Sequence, residues 1–274
     1  MRESAGPVSE CWGIDAGASL WKLATARDGG WDTRILPQRE AAALERGLPH
    51  PRGRGGLTGG GARAIARELG LPEASVLGEF DCWISGAPIV AAIAGLELPE
   101  VYLLVSVGTG ASAILVREGA GVRVGGTALG GGSLMGLGRL LLGKDRFGEI
   151  VALAAEGRRE RVDLLLGDLY GPDDSPLPLE VPAAHFAKLE SAEPADLAAA
   201  LIGMVAHNLG LICGQLALAH GAPLVMYCGS TLNGNDLLRD ILNSQTGAFG
   251  VRAEFPGLGA FCGAIGAAAR AAEL

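Results

Sequence analysis

Short apolar runs broken by small-residue turns set the rhythm of the first hundred residues. Residues 11–15, 20–26 and 31–36 each read as a strand, and Asp28-Gly29-Gly30 forms a hairpin turn between the last two. The pattern then predicts a short helix over 39–46, a polar loop over 49–56 and a strand with its turn over 57–61. A helix follows over 62–70, a strand over 75–79, and a small-residue helix over 81–96, interrupted or kinked near Gly86 and Pro88. After a boundary near 97–100 the opening repeats: strands over 101–107, 111–117 and 122–127, with Glu118-Gly119 as a turn. Helices are expected over 133–143, 147–156 and 161–170, then a loop with four prolines over 172–182. A long amphipathic helix over 194–220 leads to strand 224–228, helix 233–243, strand 250–254 and helix 260–273. That order describes a duplicated α/β fold with mixed sheets and flanking helices. Its parts are a disordered tail (1–10), a first lobe (11–97) and a second lobe (98–274).

The duplication is sharpest in one turn. Gly13-Ile14-Asp15-Ala16-Gly17-Ala18-Ser19 and Ser106-Val107-Gly108-Thr109-Gly110-Ala111-Ser112 share a design, and their final serines lie 93 positions apart. Each follows an apolar run and enters a β-rich one. Glycines there let backbone N–H groups approach an anion, and the hydroxyls add donors. Two such turns in one chain imply two lobes gripping one polyphosphate.

Composition narrows the partners. With 274 residues, 49% hydrophobic and 19% charged, the chain buries a sizeable core. A net charge of −8 provides no basic stripe, which argues against nucleic-acid and anionic-membrane partners, so local donors must hold an anionic substrate. The five cysteines are odd in number, widely spaced and without a C-x-x-C pair, as expected of buried free thiols in a reducing cytosol. Residues 1–10 lack the apolar core of a signal peptide, and no membrane-crossing helix is expected. The expected location is therefore cytoplasmic.

Asp15, between strand and turn, can serve Mg²⁺ or its water shell, and Lys22 can reach a phosphate as a point charge. The competing reading makes Asp15 a turn cap and Lys22 a solvated strand residue. Gly125-Gly126-Thr127-Ala128-Leu129-Gly130-Gly131-Gly132-Ser133 opens a helix whose N-terminal N–H groups favour an anion, unless Ser133 is simply the N-cap of a flexible loop. In Glu79-Phe80-Asp81, read as closing a strand, Asp81 is placed to cap the next helix. That leaves Glu79 as the candidate general base. Arg123 can pair bidentately with a substrate carboxylate, or stand as a cross-strand surface charge. The four histidines are isolated, without metal-ligand spacing. The absence of G-x-x-x-x-G-K-[ST] and G-x-S-x-G disfavours a P-loop NTPase and an α/β-hydrolase.

From Trp12 onward these pieces resemble the type II pantothenate kinases, members of the actin-like superfamily of sugar kinases and heat-shock ATPases. The most specific are Gly13-Ile14-Asp15-Ala16-Gly17, Leu57-Thr58-Gly59-Gly60, Glu79-Phe80-Asp81, Val107-Gly108-Thr109-Gly110-Ala111-Ser112 and Arg123-Val124-Gly125-Gly126-Thr127. Gly229-Ser230 through Arg239 and Gly259-Ala260-Phe261-Cys262-Gly263 add to them. The resemblance implies a ribonuclease H-like, two-lobed actin-like ATPase fold. It implies a homodimer that uses ATP and Mg²⁺ to phosphorylate the primary hydroxyl of pantothenate, the first step toward coenzyme A. By the same resemblance, Asp15 serves Mg²⁺ and phosphate, with Gly17, Ser19 and Lys22 on the phosphates beside Gly108 and Gly110. Glu79 is the base, and Thr109 and Arg123 hold pantothenate. Gly130, Gly131 and Gly132 line the nucleotide, Phe147 stacks on adenine, and Gly229 and Ser230 lie at the adenosine end. Phe255 takes the place of a family tyrosine that reaches the neighbouring subunit's substrate pocket. Gly17-Ala18-Ser19 stands where the family usually has Gly-Gly-Thr, and Trp21 is unusually bulky beside it. Two alternatives remain open: an actin-like kinase of another small hydroxylated acid or sugar, and a non-catalytic nucleotide- or coenzyme A-binding regulator.

Overall fold

A computed structural model describes residues 11–38, 54–68, 70–72, 75–175 and 177–273. Two sheets follow one plan. In the first, β1 (Cys11–Ala16) pairs antiparallel with β2 (Leu20–Arg27), and β2 antiparallel with β3 (Gly30–Pro37). On its other side β1 runs parallel to β4 (Arg54–Thr58), and a parallel bridge from Leu57 to Val76 extends that flank. In the second, β5 (Val101–Val107), β6 (Ala111–Arg117) and β7 (Ala120–Thr127) repeat the antiparallel opening. A small ribbon of β8 (Leu164–Leu165) and β9 (Pro182–Ala184) intervenes in the chain. β10 (Leu224–Cys228) then lies parallel beside β5, and β11 (Arg252–Glu254) parallel beside β10. The strand orders, β3-β2-β1-β4 and β7-β6-β5-β10-β11, make the duplication explicit. β5 is buried over most of its length, as a central strand covered on both faces should be, whereas β3 is an edge strand without a fully buried position.

Helices fill the faces. α1 (Ala62–Glu68) closes a small core with Trp12, Ile14, Trp21 and Leu57 on the first sheet. α2 (Glu79–Ile93) packs on the second sheet through Trp83, Ala87 and Val90. α3 (Gly131–Leu142), α4 (Phe147–Glu156), α5 (Pro194–His220) and α6 (Asp236–Gly247) cover that sheet's opposite face, which carries the largest core. α7 (Cys262–Glu273) returns from the end of the chain to pack against α2, β1, β2 and β4. α5 is long and apolar enough to cross a membrane by length and composition, but 72% of its most apolar stretch is buried inside the protein. Its hydropathy is that of a core helix, closed by Gly221 in the left-handed conformation.

Backbone contact explains why glycine is needed where α7 crosses. A Cβ on Gly266 would overlap the Cys82 carbonyl, and one on Gly86 would overlap that of Cys262. Neither neighbour is a movable side chain. Gly266→Ala is therefore expected to cost about 2–4 kcal/mol, as a severe overpacking. Urea unfolding followed by circular dichroism measures it.

Several elements differ from the pattern-based expectation. The segment 75–79 forms one bridge instead of a strand, and Glu79 begins α2. Glu79 and Asp81 in the first turn complement the helix dipole, and Gly78 is the N-cap, so Asp81 does not cap it. α2 continues as a helix past Gly86 and Pro88, without the interruption allowed for there. Residues 54–56 belong to β4 and not to a loop. No helix spans 161–170: two 3-10 turns flank β8, because the Asp168 carboxylate takes the Leu165 N–H at 2.8 Å and breaks helical pairing. The helix expected from 233 starts at Asp236, where Asn235 accepts the Leu238 N–H at 3.2 Å. The tail expected over 1–10 and the helix expected over 39–46 lie outside the described residues.

Candidate active site

The two look-alike turns meet at their tips. The Ser19 hydroxyl lies 3.1 Å from that of Thr109, one from each half of the chain. The first turn is short: β1 and β2 pair directly across it, which sets Asp15 opposite Lys22. Both side chains are buried, at 5% and 8% exposure. Burial pushes the Asp15 carboxyl up to about 6; Lys22 pulls it back and the negative charge of Glu79 adds to the rise. Glu79 thus belongs to the same electrostatic neighbourhood, exposed on the first turn of α2.

Two glycines wall the Asp15 carboxylate. Gly59 holds a left-handed φ of 86°, and a Cβ there would stand 2.8 Å from Asp15 Oδ1; one on Gly263 would stand 2.9 Å from Oδ2. Neither wall was given a role from sequence, although both lie in motifs quoted for the family. Ala18 is exposed at the turn's tip, and the bulk of Trp21 goes into the first sheet's core.

The second turn is clamped from behind. The Gly108 N–H closes onto the Gly110 carbonyl at 2.8 Å. The Gly131 N–H donates to the Gly108 carbonyl at 2.8 Å and the Gly132 N–H to the Thr109 carbonyl at 2.9 Å. This corrects the expectation that those helix-start donors face an anion: two of them are spent on the turn. The glycine triplet also has a packing reason, since a Cβ on Gly130 would lie 2.8 Å from the Gly110 Cα and 2.8 Å from the Thr109 carbonyl oxygen. Ser133 is not the N-cap; Gly130 is, and the Ser133 hydroxyl donates to the Ala128 carbonyl at 3.0 Å.

Arg123 stands exposed on edge strand β7, where a bulge between Ala113 and Ile114 shifts the register. Its Nε donates to the Ser112 hydroxyl at 3.4 Å, which brings it to the end of the second turn. Phe147, at the start of α4, is half-buried against the large core. Gly229 is buried after β10 and donates its N–H to the Gly259 carbonyl at 3.1 Å; Ser230 begins a 3-10 turn beside it.

Phe255 sits elsewhere than beside Arg123. It lines a cleft of about 290 Å³ with Gly229, Asn233 and Arg239. Its ring stacks on Tyr227 at 5.3 Å, Arg239 lies over it at 5.3 Å, and Arg239 donates to its carbonyl at 3.0 Å. These contacts seat the ring against Tyr227 and Arg239.

Away from the cleft, Asp163 is fully buried and accepts the Phe186 N–H at 3.0 Å while facing His185 at 3.2 Å. His207 bonds the Gly203 carbonyl at 2.8 Å, and burial followed by the Arg159 charge pushes it down to about 4. Arg159 Nη1 lies 3.0 Å from His207 Nε2 and the His185 and His207 rings pack at 5.4 Å, so these two of the four histidines fasten the 157–193 excursion to α5. Among the described residues no group of three or more metal-ligating side chains occurs.

Comparisons with known proteins identify the family and the fold. A family model described as Fumble matches residues 96–270. A type II pantothenate kinase of Staphylococcus saprophyticus is 31% identical over 93% of this chain and 97% of its own. One from Staphylococcus aureus is 30% identical over the same shares. Among solved structures, component A of the Acidaminococcus fermentans (R)-2-hydroxyglutaryl-CoA dehydratase superposes with a TM-score of 0.62 at 18% identity, over 97% of this chain and 100% of that one. A ROK family glucokinase from Streptomyces griseus, in complex with glucose and AMPPNP, superposes with 0.59 at 14% identity, over 97% and 100%. These two establish the actin-like ATPase and sugar-kinase fold.

Proposed function

The chain belongs to the type II pantothenate kinases, ATP-dependent enzymes of coenzyme A synthesis, and we propose that the cleft where its two turns meet carries the phosphoryl transfer. The observation that carries this reading is the 3.1 Å approach of Ser19 and Thr109, with Asp15, Lys22 and Glu79 coupled beside it. Gly17, Ser19 and Lys22 from one lobe and Gly108, Thr109 and Gly110 from the other grip the phosphates, so positioning and charge neutralisation supply most of the catalysis. Glu79 accepts the proton of pantothenate's primary hydroxyl as that oxygen bonds to the γ-phosphorus and the bond to the ADP oxygen breaks. Gly130 to Gly132 support this cradle from behind. Phe147, Gly229 and Ser230 are assigned to the nucleoside.

Mg²⁺ fits the donor set. One buried carboxylate, Asp15, is what an ion bound mainly through phosphates and water requires, and a cation there would offset the desolvation seen in its raised pKa. When bound, the ion supplies neutralisation of phosphate charge.

Arg123 takes the pantothenate carboxylate, guided by its contact with Ser112. Arg123→Ala is expected to raise KM for pantothenate about 10- to 100-fold, the cost of one charge-assisted pair, with KM for ATP within about twofold. Steady-state ADP release against both substrates checks this. An unchanged pantothenate KM would remove Arg123 from the acceptor site and reopen a neutral sugar as acceptor. Phe255 contributes to the acceptor only if a second copy presents it. The proposed homodimer would cover Leu211 and Leu218, 44% and 62% exposed along α5. Soluble substrates and a net charge of −8 support a cytoplasmic enzyme without a nucleic-acid or membrane partner.

A further inference from the structure

We propose that Thr231 is a positioning residue for the reaction, setting the second turn through a single hydrogen bond. This rests on the reading that the turn holds phosphate and acceptor. Thr231 is buried at 5% exposure, in the middle of the 3-10 turn Ser230–Leu232 that follows β10. Its hydroxyl donates 2.9 Å to the Gly108 carbonyl, 123 residues earlier in the chain. The Gly131 N–H donates to the same oxygen at 2.8 Å. A Cβ on Gly131 would approach Thr231 Oγ1 to 2.7 Å, so turn, helix start and post-β10 loop converge on that one carbonyl.

The turn needs this help. Gly108-Thr109-Gly110 has glycine on both sides of its functional residue, so local sterics leave its peptide planes free to rotate. A carbonyl oxygen has two lone pairs, and here two donors engage them. With both engaged, the oxygen is held against the scaffold and cannot swing toward a bound phosphate, which it would repel. The next residue, Thr109, touches Ser19 across the cleft at 3.1 Å. The orientation of the Gly108 peptide therefore sets where the Thr109 hydroxyl lies. Thr231 also adjoins Gly229 and Ser230, so the nucleoside side of the cleft and the phosphate turn are joined by one hydroxyl.

Thr231→Val keeps the shape and deletes the donor. The expected result is a kcat about tenfold lower with KM for ATP and pantothenate within about threefold, because misplacement of a reacting group penalises the transition state more than ground-state binding. Thr231→Ser, which keeps the hydroxyl, should return kcat to within about twofold of wild type. A merely structural threonine would lower the unfolding midpoint and leave kcat alone. Should the valine variant not fold, Thr231→Ala and Thr231→Ser lose the same methyl and differ only in the hydroxyl, so their kcat ratio carries the test. An unchanged kcat in Thr231→Val, or a serine variant as slow as the donor-free one, overturns the proposal. Thr109→Val in the same assay separates the two levels. If it is slow while Thr231→Val is normal, only the Thr231 inference falls. If Thr109→Val is itself normal, the reading of the turn fails and this inference with it.

Discussion

Glu79→Gln is expected to lower kcat for pantothenate phosphorylation by about 10²- to 10⁴-fold, the usual contribution of a positioned general base. ATP affinity should stay within about threefold of wild type, because Glu79 sits on the first turn of α2 and none of the turn or clamp hydrogen bonds depends on it. The substitution also removes a negative charge whose field raises the Asp15 pKa. The variant should therefore bind Mg-ATP normally and fail to release ADP. Isothermal titration with a non-hydrolysable ATP analogue, set beside turnover, separates these effects. Turnover close to wild type would remove Glu79 from the chemistry.

Asp15→Asn should be inactive and yet more stable, in the protein free of nucleotide and metal. The folded carboxyl holds its proton up to a pH of about 6, against an ordinary value of 3.8, chiefly because burial disfavours its charged form. Between those values the folded chain binds more protons than the unfolded one, so stability falls as pH rises through that window. The loss is complete above it. Removing the buried charge returns that cost, in which the pull of Lys22 is already counted, for a net gain of about 1–3 kcal/mol at pH 8. At pH 4 the two proteins should unfold within about 1 kcal/mol of each other, since the folded Asp15 is then protonated and little of the window remains. Turnover should drop by at least about 10²-fold with the loss of this anchor for phosphate and metal. Urea midpoints at both pH values, measured with activity, check the pair of effects. A variant less stable than wild type at pH 8 would contradict the assignment of Asp15 as a desolvated charge.

The elements legible in the sequence were those whose own residues determine them. The apolar run at β5 and the helix over 194–220 carry their signal internally, and the two glycine-hydroxyl turns mark the segments that meet across the cleft. The misplaced elements depend on competition between side chain and backbone. Asp168 captures an N–H that a helix over 161–170 would have used, and acidic residues at 79 and 81 turn a strand end into a helix start. At the site, residue type pointed to Asp15, Lys22, Glu79 and Arg123. What the glycine triplet does was not legible, because the acceptors of its N–H groups lie more than twenty residues earlier in the chain. The same holds for Gly59 and Gly263, which reach Asp15 from β4's end and from α7, and for Thr231 on Gly108. No local pattern records contacts of that span.

ADP release with Mg-ATP and, in parallel, pantothenate, pantetheine and glucose tests the account most directly. Pantothenate is predicted to support release well above the acceptor-free rate. Pantetheine, which lacks the carboxylate that Arg123 is proposed to hold, should require a higher concentration, and glucose should support none. Release driven by glucose but not by pantothenate, or none above background with any acceptor, would contradict it.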